Sequence, residues 1–167
     1  MRQSRVESGR YNVRTVREYR YVVDSDGRIF HDGSEIIDPP TLRFFLRAMQ
    51  RTPDGRYLAI CQGEKNWFEA RDTPFVVQRL VCDERDGQLT DIDLEFAGGL
   101  REALDPTTLH VENGYLYCLT RHATFRARFG RAALQSLAAH LVEGENGWAL
   151  VVGGERNPIR ESRPQAG

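Results

Sequence analysis

Lysine is almost absent from this chain: Lys65 is the only one among 167 residues, and every other basic side chain is arginine. Arginine forks suit bidentate phosphate recognition. Yet 23 basic residues face 24 acidic ones, the formal net charge is -1, and the arginines stand among carboxylates, so a coding preference accounts for them. No overall field draws the chain to nucleic acid or to an anionic membrane. No apolar run approaches the ~18 residues of a membrane helix. Residues 1–17 carry five arginines and no long apolar stretch, which excludes a secretory signal. Cysteine is scarce too: Cys61, Cys82 and Cys118 fall in apolar, strand-like runs without metal-ligand spacing. With no secretory signal, they read as buried thiols in a reducing compartment. Phosphate-binding loops are missing, because Gly98-Gly99 and Gly153-Gly154 lack the G-x-G-x-x-G and Walker patterns, and so is a G-x-S-x-G nucleophile elbow. His110 and His122 flank an Asn113-Gly114 turn without the third ligand that zinc requires. No metal and no cofactor are therefore expected.

What is present reads as one α+β domain with mostly antiparallel sheets. Residues 1–16 are expected to form a flexible basic arm, 17–152 the domain, with a possible subdomain division near Gly98, and 153–167 a C-terminal tail. Tyr19 to Val23 and Arg28 to His31 are aromatic and β-branched, flanking an Asp24-Ser25-Asp26-Gly27 turn. Asp32-Gly33 and Asn113-Gly114 are hairpin signals, since such turns need positive φ. Pro39-Pro40-Thr41 opens a helix predicted over about 40–51, with Leu42, Phe45, Leu46 and Met49 on one face. Leu134, Leu137, Ala138 and Leu141 predict a second helix over about 130–142. Arg56 to Cys61, Asn66 to Ala70 and Phe75 to Cys82 suggest an antiparallel meander. Leu89 to Phe96 alternates like a strand with one wet face, and Leu100 to Pro106 reads as irregular.

The densest polar group lies between Cys61 and Val77: Glu64, Lys65, Asn66 and, further on, Asp72. Polar side chains in the middle of a sheet are expensive to bury unless paired, so they mark a site or a structural ion network. As a site, Glu64 or Asp72 would act as acid or base, and Lys65 or Asn66 as electrophile or binding group. His31 is a further candidate beside Asp32, although neighbours on a strand point to opposite faces and should not pair. Asp24-Ser25-Asp26-Gly27 is too short and strand-flanked for a calcium loop. His140 reads as a surface residue. Tyr11, Arg14, Arg17, Tyr19, Arg20 and Tyr21 could stack on single-stranded nucleic acid, a reading ranked below the others.

This arrangement resembles the domain of unknown function 4505 family, also called the UPF0598 family. The residues concerned are Arg17-Glu18-Tyr19, Tyr21, Asp24, Gly27, Phe30, Gly55-Arg56-Tyr57, Cys61, Glu64-Lys65-Asn66, Asp72, Pro74, Val76, Asn113-Gly114 and Leu116-Tyr117. More distantly, Asp26-Gly27, Phe30-His31, Gly33-Ser34, Ile36, Glu64-Lys65 and Asp72-Thr73-Pro74-Phe75-Val76 look like the bacterial domain of unknown function 1285. Eukaryotic relatives of the first family carry a mitochondrial leader, which this chain lacks, so the resemblance implies a cytoplasmic protein. It implies no activity, because both families are uncharacterised. Relatives often carry Arg where Lys65 stands, which argues against lysine chemistry there.

The leading reading is a non-catalytic domain that binds a small molecule or a protein partner around Glu64, Lys65, Asn66, Asp72 and His31. The alternative is an enzyme of unknown reaction using Glu64, Asn66 and Asp72.

Overall fold

Two-residue turns that require positive φ at both central positions organise the chain, whose computed structural model describes residues 15–162. Asp32-Gly33, Gln62-Gly63, Asp86-Gly87 and Asn113-Gly114 all adopt that geometry, with φ of 47° and 80°, 49° and 78°, 51° and 73°, and 51° and 80°. The expected arm lies almost wholly outside the described residues.

The first sheet has the order β3 (Ser34–Glu35), β2 (Ile29–His31), β1 (Glu18–Val23), β6 (Glu64–Ala70), β5 (Tyr57–Cys61), β4 (Gln50–Arg51). Its strands pair antiparallel except β1 and β6, which run parallel. Helix α1 (Pro39–Ala48) packs on one face, where Phe45 meets Tyr21 at 4.9 Å and Phe68 at 5.1 Å between ring centroids. Asp38 caps α1: its carboxylate accepts from the Thr41 backbone N–H at 3.0 Å, and Pro39 and Pro40 occupy the first turn, where no N–H is needed. The helix ends before the expected Arg51 because Met49 is extended (φ -61°, ψ 133°) and Gln50–Arg51 pair with β5.

The stretch predicted as one strand from Phe75 to Cys82 divides at Gln78 between two sheets. β7 (Phe75–Val77) closes the second sheet, ordered β17 (Arg160–Glu161), β11 (His110–Glu112), β12 (Tyr115–Thr120), β13 (Phe125–Phe129), β7. β8 (Arg79–Arg85) starts the third, with β9 (Gln88–Glu95) at its centre and β10 (Arg101–Ala103) on the far edge. Gln78 itself donates its N–H to Glu95 and its side-chain amide to the Asp26 carbonyl, so the two neighbouring strands diverge there. β10 occupies the segment expected to be irregular. A fourth sheet holds β14 (Leu141–Gly144), β15 (Gly147–Val152) and β16 (Glu155–Pro158).

Two sequence expectations change here. Helix α2 spans Arg131–Ala138 and buries Ala133 and Leu137, whereas Leu134, expected inside, is 40% exposed and Leu141 belongs to β14. Residues after Gly153, expected as a tail, supply β16 and β17, because Arg160 and Glu161 find a parallel partner in β11.

One apolar cluster joins these layers, drawing on residues before and after Gly98. Phe75 stands at its centre, 5.4 Å from Phe96 and 5.0 Å from Phe125. Each such fully buried ring contributes about 1.5–3 kcal/mol. Gly98 seats α1: a Cβ there would lie 2.7 Å from the Pro39 carbonyl oxygen and 2.8 Å from the Leu42 Cβ, at φ +71°. The buried carboxylate Glu95 is held by Arg79 at 2.8 Å and Arg101 at 3.0 Å. Burial alone would raise its pKa, but the two guanidinium groups outweigh it and hold the carboxyl below the usual range.

Candidate functional site

The Gln62-Gly63 turn changes the meaning of the polar group that follows it. Glu64 and Lys65 stand at a hairpin end, half-buried, where the sequence suggested the interior of a sheet. Alternation along β6 puts Glu64, Asn66 and Phe68 on the α1 face and Lys65, Trp67 and Glu69 on the other. The register extends the first set: Tyr19 lies opposite Asn66, Tyr21 opposite Phe68, and His31 opposite Tyr21.

On the outer face, Lys65 Nζ lies 3.6 Å from Glu18. The Trp67 indole N–H donates to the same carboxylate at 3.3 Å, and Arg56 stacks over Trp67 at 4.1 Å. This is a solvated network. On the α1 face, Asn66 is 4% exposed and donates its amide to the Ala59 carbonyl across the hairpin at 3.2 Å. Buried Asn157 makes the equivalent bond to Leu150 in the fourth sheet, so both asparagines serve to satisfy hairpin backbone. Glu64 keeps a 3.9 Å contact with Arg17. Burial chiefly, then the charges of Tyr19, Glu64 and Cys61, raise the pKa of the Tyr21 phenol.

His31 Nδ1 donates to the Arg20 carbonyl at 3.0 Å, and its Nε2 lies 3.3 Å from the Asp32 carboxylate. The sequence argument against that pair fails for a physical reason. Asp32 is a turn residue at φ 47°, which brings its side chain back to the face of its neighbour.

Asp72 is elsewhere. Its carboxylate accepts from the Tyr117 hydroxyl at 2.8 Å and lies 3.6 Å from Arg128, on the outer face of the second sheet. There Arg126 stacks over Tyr117 at 4.2 Å and Arg128 over Tyr115 at 4.1 Å, while Glu112 pairs with Arg126 at 2.6 Å. Burial, followed by the bond to Asp72 and its charge, pushes the Tyr117 phenol up to about 12. The structure therefore brings Glu64, Asn66 and His31 to one sheet face, turns Lys65 to the opposite one, and gives Asp72 to another sheet.

A feature that the sequence reading passed over lies at the turn between β12 and β13. Arg121, His122 and Ala123 have φ of 51°, 53° and 62°, a left-handed run with no glycine, asparagine or aspartate. Such a conformation costs roughly 1–2 kcal/mol per residue. Specific contacts offset it. One Glu102 carboxylate oxygen accepts from the Thr120 hydroxyl and from the Arg121 N–H at 3.0 Å. The Arg121 guanidinium donates at 2.5 Å to the carbonyl of Leu46, in the last turn of α1, where carbonyls lack helical partners. It also lies 5.7 Å from the Phe125 ring.

Beside this turn is a cavity of about 580 Å³ lined by Glu102, Asp105, Thr108, Thr120 and His122 among others. Among the described residues neither Glu102 nor Asp105 pairs with a cation. Their charges add to burial in raising the neighbouring Cys118 thiol to about 12. The usable sequence signal was the Thr120-to-Thr124 connection, which joins two alternating runs without any turn-forming residue. Among the described residues no three His, Cys, Asp or Glu side chains converge to hold a metal. Cys61 and Cys82 are partly exposed and Cys118 is buried, all as free thiols. No helix among the described residues is long and apolar enough to cross a membrane.

No family model matches the chain. Two crystal structures are similar in fold. A domain of unknown function 1285 family protein from Silicibacter pomeroyi DSS-3 aligns with a TM-score of 0.65 and 17% identity, over 87% of this chain and 83% of that one. A second member of that family, from Shewanella baltica OS155, aligns with a TM-score of 0.57 and 13% identity, over 71% of this chain and 90% of that one. The distant similarity expected from the sequence is thus met at the level of fold.

Proposed function

We propose that this chain is a small non-catalytic binding domain, with its ligand in the cavity at the β12–β13 turn. The observation that carries the proposal is the coincidence, at one place, of a strained turn, a roomy cavity and two carboxylates that make no salt bridge among the described residues. Strain of this kind persists where the surroundings over-determine it, often at binding sites. The carboxylates favour a small ligand bearing an amine or another cation, and His122 stands at the rim. The alternative of an enzyme built on Glu64, Asn66 and Asp72 is weakened by geometry: the Asn66 amide is spent on Ala59, and Asp72 is held by Tyr117 on a different sheet.

A second reading keeps part of the sequence-derived surface, because Tyr21 and His31 pack with their rings tilted, 5.0 Å between centroids, on the face that carries the half-buried Glu64. On that reading Tyr19, Tyr21, His31 and Glu64 contact a partner, with Asn66 as scaffold. The resemblance to the domain of unknown function 4505 family belongs to the proposal as well. The three free thiols support the cytoplasm as the compartment.

Thermal-shift screening with small amines, neutral analogues and carboxylates tests the cavity. Amines should raise the melting temperature, since a ligand at about a hundred times its Kd stabilises by about 2.7 kcal/mol. Ala103→Leu, which fills the cavity from an exposed strand position, should abolish the shift. Stabilisation by carboxylates, or a shift that survives Ala103→Leu, would count against it.

A further inference from the structure

The outward face of α1 is unlike the rest of the helix. Leu42, Phe45 and Leu46 point into the core. Pro40, Arg43, Phe44, Arg47 and Ala48 line a shallow depression of about 380 Å³ on the other side. Phe44 is 41% exposed, and Ile37, just before the helix, is 78% exposed. Arg43 and Arg47 are one turn apart, so their side chains are neighbours and repel each other. Neither has a carboxylate partner among the described residues. One edge of the Arg43 guanidinium is anchored by a 2.8 Å bond to the Gly98 carbonyl, which restricts where its charge can lie. The capping carboxylate of Asp38 bonds to Thr41; those bonds first, and then the Arg43 charge, hold it below the usual carboxylate range, so Arg47 is the less compensated of the two cations.

An apolar floor flanked by two arginines that make no salt bridge among the described residues is complementary to an apolar anchor flanked by carboxylates. We infer that this face docks an acidic protein segment, with a large apolar side chain seated over Pro40, Phe44 and Ala48 and its carboxylates meeting Arg43 and Arg47. A membrane surface is the weaker match, because electrostatic attachment uses clusters of about 4–8 basic residues. Nucleic acid would in turn leave the apolar floor uncovered. The inference is independent of the cavity at the β12–β13 turn and stands or falls without it.

The test is fluorescence polarisation of a labelled peptide of alternating glutamates around a central Trp-Leu pair. A peptide with lysines in place of the glutamates, and vesicles rich in phosphatidylserine, serve as comparisons. The acidic peptide should bind saturably, and binding should weaken with added salt. Arg47→Gln and Phe44→Ser, both at exposed positions, should each weaken it by about tenfold, the ratio expected when one anchor or charge of a small interface is lost. Leu134→Ser, at an exposed apolar position on α2, should leave it unchanged. Absence of saturable binding, equal binding by Arg47→Gln, or preference for the lysine peptide or the vesicles would overturn the inference.

Discussion

The β5–β6 and β12–β13 hairpins make a useful pair. The first concentrates polar residues and is closed by a Gln62-Gly63 turn with a single non-glycine residue at positive φ, and it carries a salt bridge of 3.6 Å between Lys65 and Glu18 in solvent. The second has an unremarkable sequence, yet holds three left-handed residues in place through Glu102 and Arg121. Polarity in a sequence records where side chains meet water; strain and its compensation record where the fold is committed to one geometry. The second hairpin therefore carries the larger energetic stake.

Substitutions can break that contrast or sharpen it. The largest effect is expected from Arg121→Ala, which leaves the Leu46 carbonyl without its donor and the turn unsupported. Calorimetry should show a loss of about 2–4 kcal/mol; a loss no larger than that of Lys65→Ala would erase the distinction. Next comes Asn66→Ala, at about 1–3 kcal/mol, because the buried Ala59 carbonyl loses its side-chain donor. That result would show that the stake in the first hairpin lies in its buried asparagine and not in its charges.

His122→Gly should be stabilising, by up to about 1 kcal/mol in chemical denaturation, since glycine adopts positive φ without strain. A destabilised variant would argue that the turn is relaxed. Lys65→Ala is expected to change stability by less than about 1 kcal/mol, as exposed ion pairs do. The last effect appears only at alkaline pH. The Tyr117 phenol is raised in the folded chain to about 12 from an ordinary value near 10. Its contribution is thus fully present below pH 10 and fades as pH rises toward 12. Melting temperatures of Tyr117→Phe should fall less steeply across that window than those of the parent.

The helices and glycine turns were legible because their signals are local. Asp38-Pro39-Pro40 marks the start of α1, and Asp32-Gly33 and Asn113-Gly114 mark hairpins. The break at Gln78 was not legible, because a partner far away in sequence, Glu95, decides it. The same holds for β17, which is a strand only because β11 lies beside it. In the candidate surface, the shared face of Glu64, Asn66 and His31 could be approached by alternation. The separation of Asp72 depends on Tyr117, 45 positions away. The β12–β13 turn is marked in the sequence only by what is missing between Thr120 and Thr124, a turn-forming residue, since its geometry is imposed by Glu102 and by α1.

The three parallel pairings, β1 with β6, β7 with β13 and β17 with β11, set an order on synthesis. A chain leaving the ribosome at about 5–20 residues per second exposes the apolar strand Phe75–Val77 for several seconds before Phe125–Phe129 emerges to receive it. The outer edge of β11 stays open until Arg160, some 50 positions later, arrives. Those two waiting edges, at β7 and β11, are where the newborn chain is open to mispairing.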